Sequence, residues 1–375
     1  MVVTLGALLG ALFMPSAASA RPAMLDDHTR WVAGEVYRGN FPDPTILVEN
    51  RRYIVASTTT AGINLPIQTS KDLKKWTPRD PLTSDQRGKV QWKLYNEALL
   101  QTPTWAGSFH RRVTASGAGG TRLISQWAPS LAKVGGHYVA AFSAARSVAG
   151  TARRSCIGVA TARVATGPYT PVGRHPLVCF NPSPYGVIDP DIFVDPRTHL
   201  PYLLWKREIV PGHQGQRLMA RRLNRTGTHF APHSHAHVVL RPGRIVRKHH
   251  HRKLRTNWER NVTENPSMVR YRGRYYLFYS GNRWATRHYA IGYAVCRGPL
   301  GPCSKKTRRH PLLHSRGRIA GPGGEDAFVD HRGKLRMVYA AWVKGRAGNT
   351  LYGRRMHVAT LKAHGKRLRV IKASL

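Results

Sequence analysis

Acidic residues are scarce in this sequence. It contains 18 Asp and Glu against 60 Lys and Arg, which gives a formal net charge of +42. Because carboxylates are so few, those that recur in similar contexts carry extra weight as functional candidates. The positive charge favours attraction to polyanions such as acidic polysaccharides, anionic cell-wall polymers or nucleic acid. A basic, soluble surface without any such partner is the alternative.

Long apolar segments are missing after residue 20, and no later segment is apolar enough to span a bilayer. The first twenty residues are apolar, contain no acid and end in Ala18-Ser19-Ala20, a pattern that signal peptidase accepts. No Lys or Arg precedes this stretch, and a membrane anchor is the alternative, although Pro15 interrupts it. We expect residues 1–20 to be a signal peptide, and residues 21–375 to form one secreted domain.

Cysteines are also few, and their spacing does not form the close CxxC pairs of a metal site. An even number in an exported chain indicates two disulfides, for which three connectivities are possible. Two similar segments, CIGVATARVATGPY and AIGYAVCRGPLGPC, have the cysteines in or beside them. This similarity favours the local pairs Cys156 with Cys179 and Cys296 with Cys303.

Helical periodicity of useful length is absent after residue 20, while Gly (35) and Pro (25) are abundant. The chain is therefore predicted to be all-β. An apolar, aromatic strand recurs at intervals of about 60 to 85 residues, which is the span of a four-stranded blade with long loops. Its five copies are RRYIVAST near Tyr53, GGHYVAAFSA at Tyr138, LPYLLWK at Tyr202, RGRYYLFYSG at Tyr275 and GKLRMVYAAW near Tyr339.

A second recurring segment precedes each of these strands by about 10 to 13 residues. Its copies are FPDPTILV at Asp43, WAPSLAKV at Trp127, IDPDIFVD at Asp189, ENPSMVRY at Glu264 and GEDAFVDH at Glu325. Five matched units predict a five-bladed β-propeller, in which the innermost strands surround a channel and their loops gather on one face. A β-sandwich is the alternative fold, but it would not explain five matched units.

These motifs resemble, in order and spacing, those of glycoside hydrolase family 43. They cover nearly the whole chain after residue 20: NFPDPT at 40–45, SKDLKKW at 70–76, QWAPS at 126–130, GVIDPDIFVD at 186–195, TENPSMV at 263–269 and GPGGEDAF from Gly321. The resemblance implies that Asp43 is a general base and Glu264 a general acid. It also implies that Asp189 is a third carboxylate, which modulates and orients the acid.

Inverting glycoside hydrolysis requires such a set of carboxylates. One carboxylate takes a proton from water, and a carboxylic acid across the sugar protonates the departing oxygen. The acid must stay protonated near neutral pH, and a neighbouring carboxylate such as Asp189 favours that form. The alternative for Asp43 and Asp189 is an Asp-Pro turn before a strand. For Glu264, the alternative is an ion pair with one of the many arginines.

Three aromatic residues are candidates for stacking on a sugar face. Trp127 belongs to the second repeat, Phe41 precedes Asp43, and Trp105 lies in the segment NEALLQTPTWA. An aromatic residue in a propeller core would produce the same pattern, so both interpretations remain open.

Two further features concern partners and cofactors. The basic run RIVRKHHHRKLR, from Arg244 to Arg255, is predicted to be an exposed loop that either binds polyanions or is merely solvated. Its adjacent histidines lack metal-site spacing, because consecutive side chains on an extended backbone point to opposite sides. Family 43 members often hold a structural cation near a histidine that follows Gly-Pro-Gly in the last repeat. This sequence has Gly324 there, which removes that ligand. We expect no required cofactor, with a structural cation in the central channel as the alternative.

The expected function is hydrolysis of non-reducing-end or side-chain pentose units in plant cell-wall polysaccharide by a secreted monomer. An α-L-arabinofuranosidase or arabinan-degrading enzyme comes first, because NEALLQTPTWA resembles an element of arabinan-active branches, and a β-xylosidase comes second. A non-catalytic glycan-binding propeller would be expected to lack one of the three carboxylates. A polyanion-binding surface protein would instead show salt-sensitive binding without turnover.

Overall fold

Five antiparallel sheets follow one another along the chain in this computed structural model. The structure describes residues 39–60, 63–78, 97–110, 123–124, 126–146, 154–180, 186–208, 216–243 and 257–373. These ranges contain no helix, and hence no helix that could cross a membrane. The predictions for residues 1–20, for the domain start at Arg21 and for the run Arg244–Arg255 fall outside the described residues.

Each sheet is one blade, and its strands pair in sequence order except for β11, which pairs with β9. Blade 1 contains β1 (Thr45–Glu49), β2 (Arg52–Ala56), β3 (Ile67–Ser70) and β4 (Thr77–Pro78). A short hairpin of β5 (Ser108–His110) and β6 (Leu123–Ile124) follows. Blade 2 contains β7 (Gln126–Val134), β8 (His137–Arg146), β9 (Arg154–Ala162), β10 (Thr170–Pro171) and β11 (Val178–Cys179). Blade 3 contains β12 (Val187–Val194), β13 (Pro201–Arg207), β14 (Arg217–Arg222) and β15 (His237–Leu240). Blade 4 contains β16 (Glu264–Tyr271), β17 (Arg274–Gly281), β18 (Ala290–Cys296) and β19 (Cys303–Lys305). Blade 5 contains β20 (Ile319–Val329), β21 (Leu335–Val343), β22 (Arg355–His364) and β23 (Arg367–Ala373).

The second strand of each blade is the aromatic strand that recurs in the sequence. In β17 only Arg274 is exposed, and every residue from Tyr275 to Gly281 is buried. Its sequence is continuously apolar rather than alternating because neighbouring blades cover both of its faces. Hydrophobic clusters fill the gaps between adjacent blades; the one that joins blade 5 to blade 1 includes Tyr53, Trp76 and Phe328. The prediction of a five-bladed β-propeller is confirmed.

The first strands line the central channel, and each has, within it or just before it, a residue in the left-handed backbone region at an equivalent position. These residues are Asp43, Ala128, Asp189, Asn265 and Gly324, with φ of 51°, 45°, 56°, 51° and 60°. Left-handed backbone costs a residue other than glycine about 1 to 2 kcal/mol, so surrounding contacts must hold four of the five in place.

A closed ring of hydrogen bonds supplies such contacts. Two residues after each left-handed position stands a side-chain oxygen that accepts a backbone N–H from the next blade. The five bonds are Leu131 N to Thr45 Oγ1 (3.0 Å), Ile192 N to Ser130 Oγ (2.8 Å), Met268 N to Asp191 Oδ2 (2.9 Å), Ala327 N to Ser267 Oγ (2.9 Å) and Ile46 N to Asp326 Oδ2 (2.8 Å). The ring joins equivalent positions of all five blades and aligns the left-handed residues that precede them.

Both disulfides lie within single blades, as predicted. Cys156–Cys179 links β9 to β11 in blade 2, and Cys296–Cys303 links β18 to β19 in blade 4. No cysteine is left free. Each bond therefore holds a short outer strand against its own sheet.

Candidate active site

The three predicted carboxylates stand at the beginning of the first strands of blades 1, 3 and 4. Asp43 and Asp189 occupy the left-handed position itself, whereas Glu264 comes one residue before left-handed Asn265. Because the ring of hydrogen bonds aligns these positions, all three carboxylates lie at the same end of the channel.

Asp43 is held by two donors from different blades. The Thr58 hydroxyl donates to Asp43 Oδ2 at 2.9 Å, and the Arg354 guanidinium pairs with Oδ1. Arg354 is buried, and its backbone N donates to Asn40 Oδ1 at 2.9 Å. These contacts fix the orientation of the Asp43 carboxylate at the mouth of the channel.

Glu264 has a separate set of donors. Lys206 Nζ lies 2.8 Å from Oε2, and the Tyr289 hydroxyl donates to Oε1 at 2.8 Å. Burial alone would lower the pKa of Lys206, but the negative charges of Glu264, Asp189 and Glu208 raise it overall. Lys206 is therefore a cation at neutral pH and forms a buried ion pair with Glu264.

Asp189 is buried beside this pair. Its Oδ2 accepts the backbone N–H of Asn265 at 3.0 Å. Burial, followed by the negative charge of Glu264, raises the pKa of Asp189 to about 8, against the opposing effect of Lys206. At neutral pH a proton therefore resides mainly on Asp189, next to an ion-paired Glu264.

Further carboxyl groups line the channel beyond the site. Asp191, Glu325 and Asp326 are buried, and burial is the largest factor that raises the pKa of each. The negative charge of Asp326 raises the pKa of Asp191 further. The channel at this level is therefore lined by acids that hold their protons to higher pH than exposed carboxyl groups do.

The cation that the family resemblance implies does not fit these residues. A side chain at position 324 would collide with the Asp43 carboxylate, so no metal ligand can replace Gly324 without a rearrangement. Among the described residues, no group of three or more His, Cys, Asp or Glu is placed to hold a metal ion. That no cofactor is required stays a prediction.

The three predicted aromatic residues differ in placement. Trp127 is partly exposed and stands one residue before left-handed Ala128, the position that Glu264 occupies in blade 4. Phe41 and Trp105 instead pack in hydrophobic cores, where 1% and 9% of their surfaces are exposed. Because protein atoms already cover these two rings, they offer almost no face to a sugar.

Sequence reasoning missed Lys206, Tyr289 and Arg354, which contact the carboxylates. A lysine within the apolar strand LPYLLWK was a usable signal, since a buried lysine needs a charged partner. Tyr289 and Arg354 belong to no recurring motif, and Arg354 is 311 residues away from Asp43 in sequence.

Glycoside hydrolases use a pair of Asp or Glu side chains that flank the scissile bond. Carboxylates gathered at one end of the propeller channel, each with its own donors, meet this requirement. The chain belongs to glycosyl hydrolases family 43, whose sequence model matches residues 35–364. It is thus a glycoside hydrolase, as the sequence predicts.

Solved structures show the same fold. A thermostable family-43 glycoside hydrolase matches with a TM-score of 0.66 and 21% identity over 89% of this chain and 93% of the other. An endo-1,4-beta-xylanase from Bacteroides thetaiotaomicron matches with a TM-score of 0.63 and 20% identity, over 92% and 97%. An alpha-L-arabinanase from Cellvibrio cellulosa, complexed with arabinohexaose, matches with a TM-score of 0.58 and 20% identity, over 89% and 96%. No curated protein sequence matches the chain.

Proposed function

We propose that the protein is an inverting glycosidase in which Asp43 is the general base and Glu264 the general acid. One observation carries the proposal: Asp43 and Glu264 have separate donor sets, and Asp189 is close enough to both for their charges to raise its pKa. A base and an acid that are held by separate sets of donors can act on opposite sides of one glycosidic bond.

In the proposed reaction, Asp43 removes a proton from a water molecule whose oxygen attacks the anomeric carbon. The bond to the leaving oxygen breaks, and this oxygen takes the proton of Glu264. Burial and the nearby Glu264 raise the pKa of Asp189 to about 8, so the site holds a proton at neutral pH. The Arg354 guanidinium and the Thr58 hydroxyl keep Asp43 aimed at the water. Asp189 acts through Glu264 and is a positioning residue.

The proposed substrates are pentose-containing plant cell-wall polysaccharides, with α-L-arabinofuranosidic linkages first. An endo-arabinase and an alpha-L-arabinanase among the similar structures support an arabinan substrate. The order rests on the segment NEALLQTPTWA. A β-xylosidase is the second candidate, because an endo-1,4-beta-xylanase and a xylan beta-1,4-xylosidase are also similar in fold.

We also propose that the protein acts outside the cell. Two intrablade disulfides with no free cysteine suit an oxidising compartment, and the apolar N-terminal residues suit export.

The test combines substrate screening with stereochemistry. Aryl arabinofuranoside and aryl xyloside are compared as substrates, and proton NMR follows the first-formed sugar, which should have inverted configuration. Asp43→Asn should abolish turnover on every substrate, because no leaving group removes the need for an activated water. Glu264→Gln should retain far more activity on a dinitrophenyl glycoside than on a natural disaccharide, since only the general-acid contribution, about 100-fold to 10,000-fold, is lost.

A retained anomer would mean that a carboxylate attacks carbon directly, and the roles of Asp43 and Glu264 would have to be abandoned. Binding of oligosaccharide without turnover on any glycoside would favour the non-catalytic glycan-binding propeller.

A further inference from the structure

Trp284 is half exposed on the face of the propeller that carries the carboxylates. It lies in the loop between β17 and β18, and 49% of its surface is accessible. This loop leaves blade 4 at the channel end where Glu264 begins the same blade, because β16 and β17 run in opposite directions. No recurring motif of the sequence includes Trp284.

The loop holds Trp284 firmly. The indole stacks on buried Trp342 with ring centroids 5.9 Å apart and planes 20° apart. Trp342 Nε1 donates to the Trp284 carbonyl at 2.9 Å, and Asn282 Nδ2 donates to the Trp258 carbonyl at 3.0 Å. An exposed ring that the protein has already oriented loses little conformational entropy when a ligand stacks on it.

The same loop is connected to both catalytic candidates. Tyr289, at its end, donates its hydroxyl to Glu264. The Arg354 guanidinium lies 5.7 Å from the Trp284 ring centroid and pairs with Asp43. Trp284 is therefore one side chain away from Asp43, through Arg354, and a few residues away from Tyr289 on Glu264.

We propose that Trp284 is a sugar-binding platform that stacks on a ring of the glycan next to the one being cleaved. The inference rests on the proposed function and adds that the preferred substrate is a neutral oligosaccharide or polysaccharide rather than a glycoside of a single sugar. The C–H face of a sugar is apolar and rigid, which suits an indole with one face packed against protein and a large area left open. A protein partner is the competing occupant, but the direct connection of this loop to Asp43 and Glu264 favours the glycan.

The test measures binding without turnover. Arabino-oligosaccharides and xylo-oligosaccharides are titrated by calorimetry into the full chain carrying Asp43→Asn, alone and combined with Trp284→Ala, Trp284→Phe or Ile371→Ala. Removal of the indole should weaken binding about 10-fold or more, whereas Phe, which retains an aromatic face, should restore most of the affinity. Ile371 is a matched exposed apolar residue, 59% accessible and on the outermost strand of blade 5, and its removal should leave binding unchanged.

The outcomes separate this inference from the proposed function. Equal binding with and without the indole would overturn the platform and leave the hydrolase assignment standing. No binding of either oligosaccharide series to the Asp43→Asn protein would overturn the platform together with the pentose substrate. If Trp284→Ala lowers the melting temperature, Trp284→Gln, which keeps a side chain over Trp342 without an aromatic face, must show the same loss of affinity.

Discussion

Replacement of Lys206 by Met tests how a buried positive charge sets the pH dependence of activity. Lys206 is buried beside Glu264, and its positive charge opposes the rise in the pKa of Asp189 that burial and the charge of Glu264 cause. Methionine has a similar length and no charge. The variant should therefore raise the pKa of Asp189 further, and the limb at which activity falls with rising pH should move to higher pH.

The size of this shift follows from the geometry. An opposite charge within about 4 to 6 Å changes the proton affinity of a carboxyl group by about 1 to 3 pH units. Lys206 is buried together with the carboxyl group of Asp189 on which its charge acts, so we expect the limb of kcat/KM against pH to move up by about 1 unit. The profile should be measured on a substrate with a poor leaving group, because such a substrate needs the general acid.

A matched control is available elsewhere in the chain. Lys133 and Glu49 form an ion pair of the same 2.8 Å length at the surface, away from the carboxylates of the channel. Lys133→Met should leave the pH profile unchanged, and Lys206→Arg, which keeps the positive charge, should hold the limb near its original position. A limb that stays in place or moves to lower pH in Lys206→Met would refute the reasoning.

Three further predictions concern stability and surface charge. Burial raises the pKa of Asp191 and Asp326, so the folded chain binds more protons than the unfolded chain above about pH 4. The free energy of unfolding should therefore fall with rising pH, by up to about 1.4 kcal/mol per pH unit for each group. Asp191→Asn should flatten this slope in urea unfolding between about pH 4.5 and 7.5, and an unchanged slope would contradict it. Removal of Cys156–Cys179, with a separation of 23 residues, should lower the free energy of unfolding by about 3 kcal/mol, and retention of full stability would count against the chain-entropy account. Binding to heparin or pectate should weaken as salt rises; persistence at roughly 1 M salt, where the screening length is about 3 Å, would contradict a purely electrostatic surface.

The repeat in the sequence predicts the blades because each blade buries its strands in the same way. The apolar second strand and the preceding motif are local patterns, and both survive in all five copies. The position of each functional residue within the motif is harder to recognise from the sequence. Trp127 and Glu264 stand one residue before the left-handed position, whereas Asp43 and Asp189 occupy it, because the conserved feature of that position is a backbone conformation rather than a residue type.

Long-range contacts explain most of what sequence reasoning missed. Lys206 and Arg354 meet their carboxylates across 58 and 311 residues, and no local pattern encodes such pairs. Aromatic residues present a related difficulty. Phe41 lies two residues before Asp43, the candidate base, yet packs in the core, while Trp284 lies in a polar loop and remains half exposed. Only packing between blades decides which of them is available to a ligand.

The ring of hydrogen bonds closes the propeller and also positions its carboxylates. Thr45 and Asp191 accept ring hydrogen bonds two residues after Asp43 and Asp189, so a change in the ring would move the acids as well. In blade 5 the equivalent position is Gly324, where a side chain would occupy the space of the Asp43 carboxylate. The absence of a side chain in one repeat thus makes room for the candidate base of another.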